Sequence, residues 1–310
     1  MKFIVLLFLA TAALAQTPAA LREDITYLAS EELEGRATPS AGLDLAAHFI
    51  AEKFGKIGLR PADHGGYLQG EDAAKGPWNV VGILPGSDPK LSQEFVILSA
   101  HYDHVGRRKG ELYPGANDDA SGTASVMEIA AAIAAGPTRP KRSILFMTFF
   151  GEERGLLGSK YYVEHPVVPL KRSIVEINLE QLGRTDETTG AEVAAFGMTG
   201  TSFSNLPQII GGAAKKEGVT LYHRPDEDDF FRRSDNYRFA AKGVVDTTIA
   251  VAFDFPDYHK PGDIVDKIDF ENLALVDRAV AAAVLQLADD PVRPVWTKKP
   301  PIKKTRAHKK

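Results

Sequence analysis

Five short clusters in this chain carry side chains able to bind a metal or move a proton. They are His101-Tyr102-Asp103-His104, Asn117-Asp118-Asp119, Glu152-Glu153, Glu180 and Tyr258-His259. The chain has no cysteine, which excludes disulfides, thiolate zinc sites and cysteine nucleophiles, so any metal must be held by His, Asp and Glu. Taken singly, each cluster has a structural reading. Asp118 or Asp119 can cap a helix, Glu152 and Glu153 can be solvated loop charges, and His101 can hydrogen-bond within a core. Gathered in one place, the carboxylates would repel one another unless a cation neutralised them. A donor set of imidazole and carboxylate suits zinc, manganese or another divalent ion.

The flanking elements say how such a gathering would arise. Apolar runs of strand type cover 79–84, 94–101, 143–150, 173–180 and 243–252, with a further candidate at 191–198. Helical patterns cover 20–60 on either side of a Gly/Pro loop at 31–42, and then 120–136, 156–165, 202–217 and 270–290. Strands alternating with helices, several of them continuously apolar, predict an α/β/α sandwich around a mixed, mostly parallel sheet. In open sheets of this kind ligands bind beyond the carboxyl ends of the strands. Three predicted strands run straight into His101, Glu152 and Glu180.

Composition narrows the classes further. The 310 residues are 44% hydrophobic and 25% charged, with a net charge of −4. These values fit a globular chain with a sizeable core and exclude collagen-like, coiled-coil and wholly disordered classes. They also exclude a nucleic-acid binder driven by overall positive charge. Residues 1–15 read as a secretory signal peptide, with Lys2 before an apolar stretch and Ala13-Leu14-Ala15 as the cleavage site. No later stretch is long and apolar enough for a membrane helix, so an exported protein, secreted or periplasmic, is expected. The basic end, 293–310, is expected to be a disordered tail that aids solubility or adheres to acidic surfaces. Without Lys2 and the tail, the remainder is clearly acidic. Residues 16–292, with no linker or internal repeat, are expected to form one domain.

The segments AHYDHVG, PGANDDASG, GEERGLLGS, INLEQLGR and YHKPGDIVDKID resemble, in order and spacing, those of the M28 zinc aminopeptidases. LASEELEGR and SDNYRFAAKGV are also similar, so the resemblance spans roughly residues 20–290. It implies a phosphorylase/hydrolase-like fold, two zinc ions, and peptide substrates with a free N-terminus. It further implies that Asp118 bridges the ions, with His101 and Glu180 on one and Glu153 and His259 on the other. Glu152 would be the general base, Tyr258 would stabilise the oxyanion, and Asp103 would orient the His101 ring. The Asp118–Asp119 peptide would be cis, and His104 would support the site without binding metal. No large insertion resembling a protease-associated domain precedes His101.

Two departures stand out. The family usually has Asp where this chain has Glu180, which puts full occupancy of both metal positions in question. Asn236 stands where relatives commonly carry His, and Asp235 is assigned no ligand role. The stretch 226–231, acidic and aromatic, either borders the substrate pocket or is a solvated loop. Rival readings on the same fold are a glutaminyl cyclase, a carboxypeptidase and a non-catalytic binding domain.

Overall fold

The computed structural model describes residues 17–302, apart from 63–65, 73 and 188–189. The signal-peptide reading lies outside the described residues, as does the tail from residue 303.

Six strands form the body of the sheet: β1 (Asn79–Leu84), β2 (Phe95–His101), β3 (Ser143–Phe149), β4 (Ser173–Glu180), β5 (Ala195–Met198) and β6 (Asp246–Ala250). Their spatial order is β1-β3-β2-β4-β6-β5, and short pieces at Arg60–Pro61, Leu68–Gln69 and Thr220–Leu221 extend the edges to nine strands. The four central strands β3, β2, β4 and β6 are mutually parallel, while β1 and β5 run antiparallel to their neighbours. The predicted mixed, mostly parallel sheet is therefore present.

The inner strands read as continuous apolar runs because both faces are covered, and their side chains still alternate with period two. Val80, Val96, Leu98, Ile144 and Phe146 point into the larger core. Val81, Ile97, Leu145, Met147 and Phe149 point into the smaller one on the opposite face. The larger core is roofed by α1 (Pro18–Leu28), α2 (Ala41–Ile57), α3 (Gly122–Ala135), α5 (Leu206–Lys216) and α6 (Phe270–Asp289). The smaller is covered by α4 (Leu157–Glu164) and the turn of helix Asn236–Ala240. Helix starts are chemically marked. Ser40 Oγ accepts from Leu43 N–H at 3.1 Å, and Asp269 Oδ1 accepts from Asn272 N–H at 3.0 Å. At the other end of α2, Gly58 adopts φ 83°, the left-handed cap that glycine allows without strain.

At the C-terminal end, packing continues past residue 292, where the tail was expected to begin. Arg293 pairs with Glu94 at 2.6 Å, Val295 N–H donates to Asn205 Oδ1 at 2.8 Å, and the Trp296 ring meets Phe231 edge-on at 6.2 Å. A tryptophan ring outweighs the charge pattern that marks its neighbours as a tail. Among the described residues no helix is long and apolar enough to cross a membrane.

The sheet's helical roof also encloses a carboxyl group. Asp277 on α6 is fully buried, and burial raises its pKa to about 8, with the Glu128 charge adding to the effect and the nearby Ser125 hydroxyl opposing it. The folded protein thus holds a proton there that the unfolded chain releases near pH 4. Its effect is least unfavourable below that pH, and stability falls as pH rises towards 8. Asp277→Asn should therefore raise the melting temperature more at pH 8 than at pH 5. Thermal melts whose pH dependence is the same in variant and wild type would contradict this.

Candidate metal centre

The carboxyl ends of the parallel strands deliver the predicted residues to one rim. His101 ends β2, Glu152 and Glu153 follow β3, and Glu180 ends β4. Asp118 and Asp119 lie in the six-residue turn Ala116–Ser121 that feeds α3, and their shared peptide bond is cis as expected. His259, with φ 51°, arrives on the loop before α6.

Asp118 stands between two groups of donors. Its Oδ1 lies 3.4 Å from His101 Nε2, which is itself 3.9 Å from Glu180 Oε1. Its Oδ2 lies 3.1 Å from His259 Nε2, and that nitrogen is 2.8 Å from Glu153 Oε1. Asp118 thus has one His and one Glu on either side. His104 joins the second group. Its Nδ1 is 3.2 Å from Glu153 Oε1 and 3.8 Å from Asp118 Oδ2. Ligand atoms of His104, Asp118, Glu153 and His259 all lie within 4.8 Å of one another. The sequence reading placed His104 in support of the site, and its ring lies beside the carboxylates of Glu153 and Asp118.

The donors fit divalent cations on an independent ground. Asp118 Oδ2, Glu153 Oε1 and both ring nitrogens of His104 are buried, and no hydrogen bond satisfies them. Buried polar atoms are normally paired, and a cation supplies what these lack.

The surrounding bonds hold the donors in place. Asp103 does more than orient one ring: Oδ1 is 3.5 Å from His101 Nδ1 and accepts from the Glu152 N–H at 3.0 Å, while Oδ2 accepts from Thr38 Oγ1 at 3.1 Å. Asp119 accepts from the backbone N–H groups of Gln181 and Gly122, at 3.0 and 3.3 Å, tying its turn to the end of β4. Glu180, the longer carboxylate, is held by Ser234 Oγ, which donates to its Oε1. The extra methylene is thus accommodated by a bond from the SDN loop. In the same loop Asn236 spans Asp246 and Thr248, at 3.2 and 3.0 Å, and Asp235 accepts from Ser159.

Two residues the sequence reading did not assign complete the frame. Asp263 accepts from the N–H groups of Asn117 and Asp118 at 2.9 and 3.0 Å, fixing the bridging residue's backbone. Arg36, fully buried, donates to the carbonyls of Leu28, Tyr102, Pro114 and Gly115. Burial lowers its pKa to about 10, opposed by the Asp103, Asp263, Asp118 and Asp119 charges, so it stays cationic at neutral pH. Their signals, GRATPS and PGDIVD, were in the sequence, but their partners are backbone atoms that no motif displays.

His101, Asp118, Glu152, Glu180 and Tyr258 line one narrow cleft, together with Thr199, Phe230, Arg233 and Phe253. Burial raises the pKa of Glu152 well above the ordinary range against the pull of His101, with Glu180, Asp235 and Glu153 adding to the rise. Tyr258 stacks on His259 at 4.0 Å between ring centres. The acidic stretch divides its work: Phe230 borders the cleft, whereas Asp226 pairs with Arg224, and Glu227 and Asp228 accept from Thr201 and Ser202.

Several known proteins are similar to this chain in sequence or fold. Aminopeptidase YwaD of Bacillus subtilis is 31% identical over 228 residues, covering 71% of this chain and 47% of the relative. The chain thus spans about half the length of the curated relatives it matches. Among solved structures, BSAP, a zinc aminopeptidase from Bacillus subtilis, aligns with TM-score 0.56 at 28% identity over 69% of this chain and 50% of that one. Legionella pneumophila LapA aminopeptidase shares the fold with TM-score 0.70 at 19% identity, covering 88% of this chain and 72% of that one. So does Bacteroides thetaiotaomicron glutaminyl cyclase, with TM-score 0.64 at 19% identity, over 87% and 97%. The model of peptidase family M28 matches residues 79–284, about two thirds of the sequence and all five of the clusters named above. This protein belongs to peptidase family M28.

Proposed function

We propose that this protein is an exported metallo-aminopeptidase that releases N-terminal residues from peptides at a pair of zinc ions. The observation that carries the reading is the division of Asp118, one oxygen towards His101 and Glu180 and the other towards Glu153 and His259, with Glu152 left over in the same cleft. Zinc held there would polarise the scissile carbonyl and acidify the attacking water. Glu152 takes the proton from that water and returns it to the leaving amine. Burial in the cleft raises its pKa, the direction that helps it keep the proton until the amine leaves. Its position is set by Asp103, which binds its backbone N–H. Tyr258 directs a phenol into the cleft where negative charge develops on the carbonyl oxygen. The carboxylates of Glu152, Glu180 and Asp118 favour a substrate that brings a free ammonium group.

Arg233 favours a second reading. It lines the cleft, with its guanidinium 4.7 Å from the centre of the Phe230 ring, and could pair with a C-terminal carboxylate. Aminoacyl-nitroanilides, N-acylated peptides with free C-termini, and N-terminal glutamine peptides separate aminopeptidase, carboxypeptidase and cyclase.

Purified protein should carry two zinc ions per chain and hydrolyse the nitroanilides, and a chelator should abolish turnover. Metal analysis showing no bound zinc in active protein would refute the reading. Glu152→Gln should lower kcat/KM by roughly 10²–10⁴-fold while zinc content and melting temperature stay unchanged. A variant with full rate would remove Glu152 from the chemistry.

Proton release gives a further check. Burial opposes the charged form of His259, but the adjacent carboxylates of Asp118 and Glu153 outweigh it and raise its pKa to about 9. Metal-free protein therefore holds a proton on His259 at pH 7, which zinc must displace. Apparent zinc affinity should rise as pH rises from 6 to 9. Calorimetry in buffers of different ionisation enthalpy should show proton release at pH 7, and equal heats in both would count against it.

A further inference from the structure

We infer that His104 is a direct metal ligand, and that it makes the two metal positions unequal: one closed by four protein donors, the other left open for substrate. The inference rests on the dizinc reading but adds a ligand that the family resemblance does not supply.

Four observations carry it. His104 is 1% exposed, so water cannot satisfy its ring, and neither Nδ1 nor Nε2 has a hydrogen-bond partner. A buried imidazole serving only as core would be expected to bond at least one nitrogen. Its Nδ1 faces the same two oxygens that face His259: Glu153 Oε1 at 3.2 Å and Asp118 Oδ2 at 3.8 Å. With the 3.1 and 2.8 Å separations from His259 Nε2, these spacings scatter about the edge of a zinc tetrahedron. That edge is about 3.3 Å when zinc–ligand bonds are near 2.0 Å. Finally, the ring's placement is enforced. The His104 N–H donates to Arg36 O at 3.2 Å, and the ring packs on Gly115 so closely that a Cβ there would fall 2.5 Å from His104 Cγ.

The other position has fewer donors: His101 Nε2, Asp118 Oδ1 and the Glu180 carboxylate. Four protein donors characterise closed structural zinc sites, whereas three plus an open position characterise catalytic ones. The position shared by His104, Asp118, Glu153 and His259 therefore holds its ion tightly and keeps it. The position at His101 and Glu180, beside Glu152 in the cleft, receives the substrate.

Cobalt(II) as the probe tests this without activity. The full-length protein, stripped of metal and reloaded with two equivalents of cobalt, should show three paramagnetically shifted, exchangeable imidazole N–H signals, from His101, His104 and His259. His104→Ala and His104→Gln should each show two. Zinc competition against a chromophoric chelator should find a tight and a weaker site in the wild type. In both variants the tight site should weaken by more than the roughly 10–100-fold that loss of a supporting contact costs. Melts of the metal-free proteins establish that the variants are folded. Two shifted signals in the wild type, or a smaller loss of affinity in a folded variant, overturns the role of His104 and leaves the dizinc reading standing. Failure of the wild type to take up two ions at all would instead overturn the dizinc reading.

Discussion

The packing of carboxylates at one edge of the sheet governs this structure. Asp103, Asp118 and Asp119 are buried together, with Glu152, Glu153 and Glu180 partly covered beside them. Removing one ion from water without a partner costs several kcal/mol, and here several carboxylates share that burden. The frame meets it in two ways. Backbone N–H groups are aimed at the oxygens of Asp103, Asp119 and Asp263. Imidazoles and, on the present reading, divalent ions face the oxygens of Asp118, Glu153 and Glu180. The buried guanidinium of Arg36 contributes its charge at a distance, because its N–H groups are committed to carbonyls.

The parallel core makes such crowding possible. Because β3, β2, β4 and β6 run the same way, the loops after β2, β3 and β4 emerge on one rim, and each delivers acids or histidines there. The antiparallel strand β5 begins at that rim, its Gly197 and Met198 pairing with Ala250 and Ile249 of β6, and Thr199, after β5, and Phe253, after β6, line the cleft beside the acids.

The sequence disclosed the parts whose signals are local. Continuous apolar runs, the helix before Gly136 and the strand ends at His101, Glu152 and Glu180 were readable because each depends on adjacent residues. The order of five motifs carried the resemblance, and with it the expected ligand set. His104 was harder, because a histidine three residues beyond another, past the end of a strand, has no fixed direction. Only the turn through Gly106 and the bond from its own N–H to Arg36 O point its ring inward. Ser234 was equally hidden, since its meaning lies in a carboxylate 54 residues earlier in the chain. The reach of Glu180 and the hydroxyl that meets it can be understood only as a pair.

Arg36 has a consequence for where this unit can be cut. Its guanidinium joins the end of α1 at Leu28 to the loops carrying Tyr102, Pro114 and Gly115, yet both α1 and Arg36 lie outside the stretch 79–284 that defines the family. A gene fragment drawn at those family limits would keep every metal donor and discard the keystone beneath them. The heritable module, in the sense of what must be transplanted whole to carry the site into another protein, therefore reaches back to the first helix.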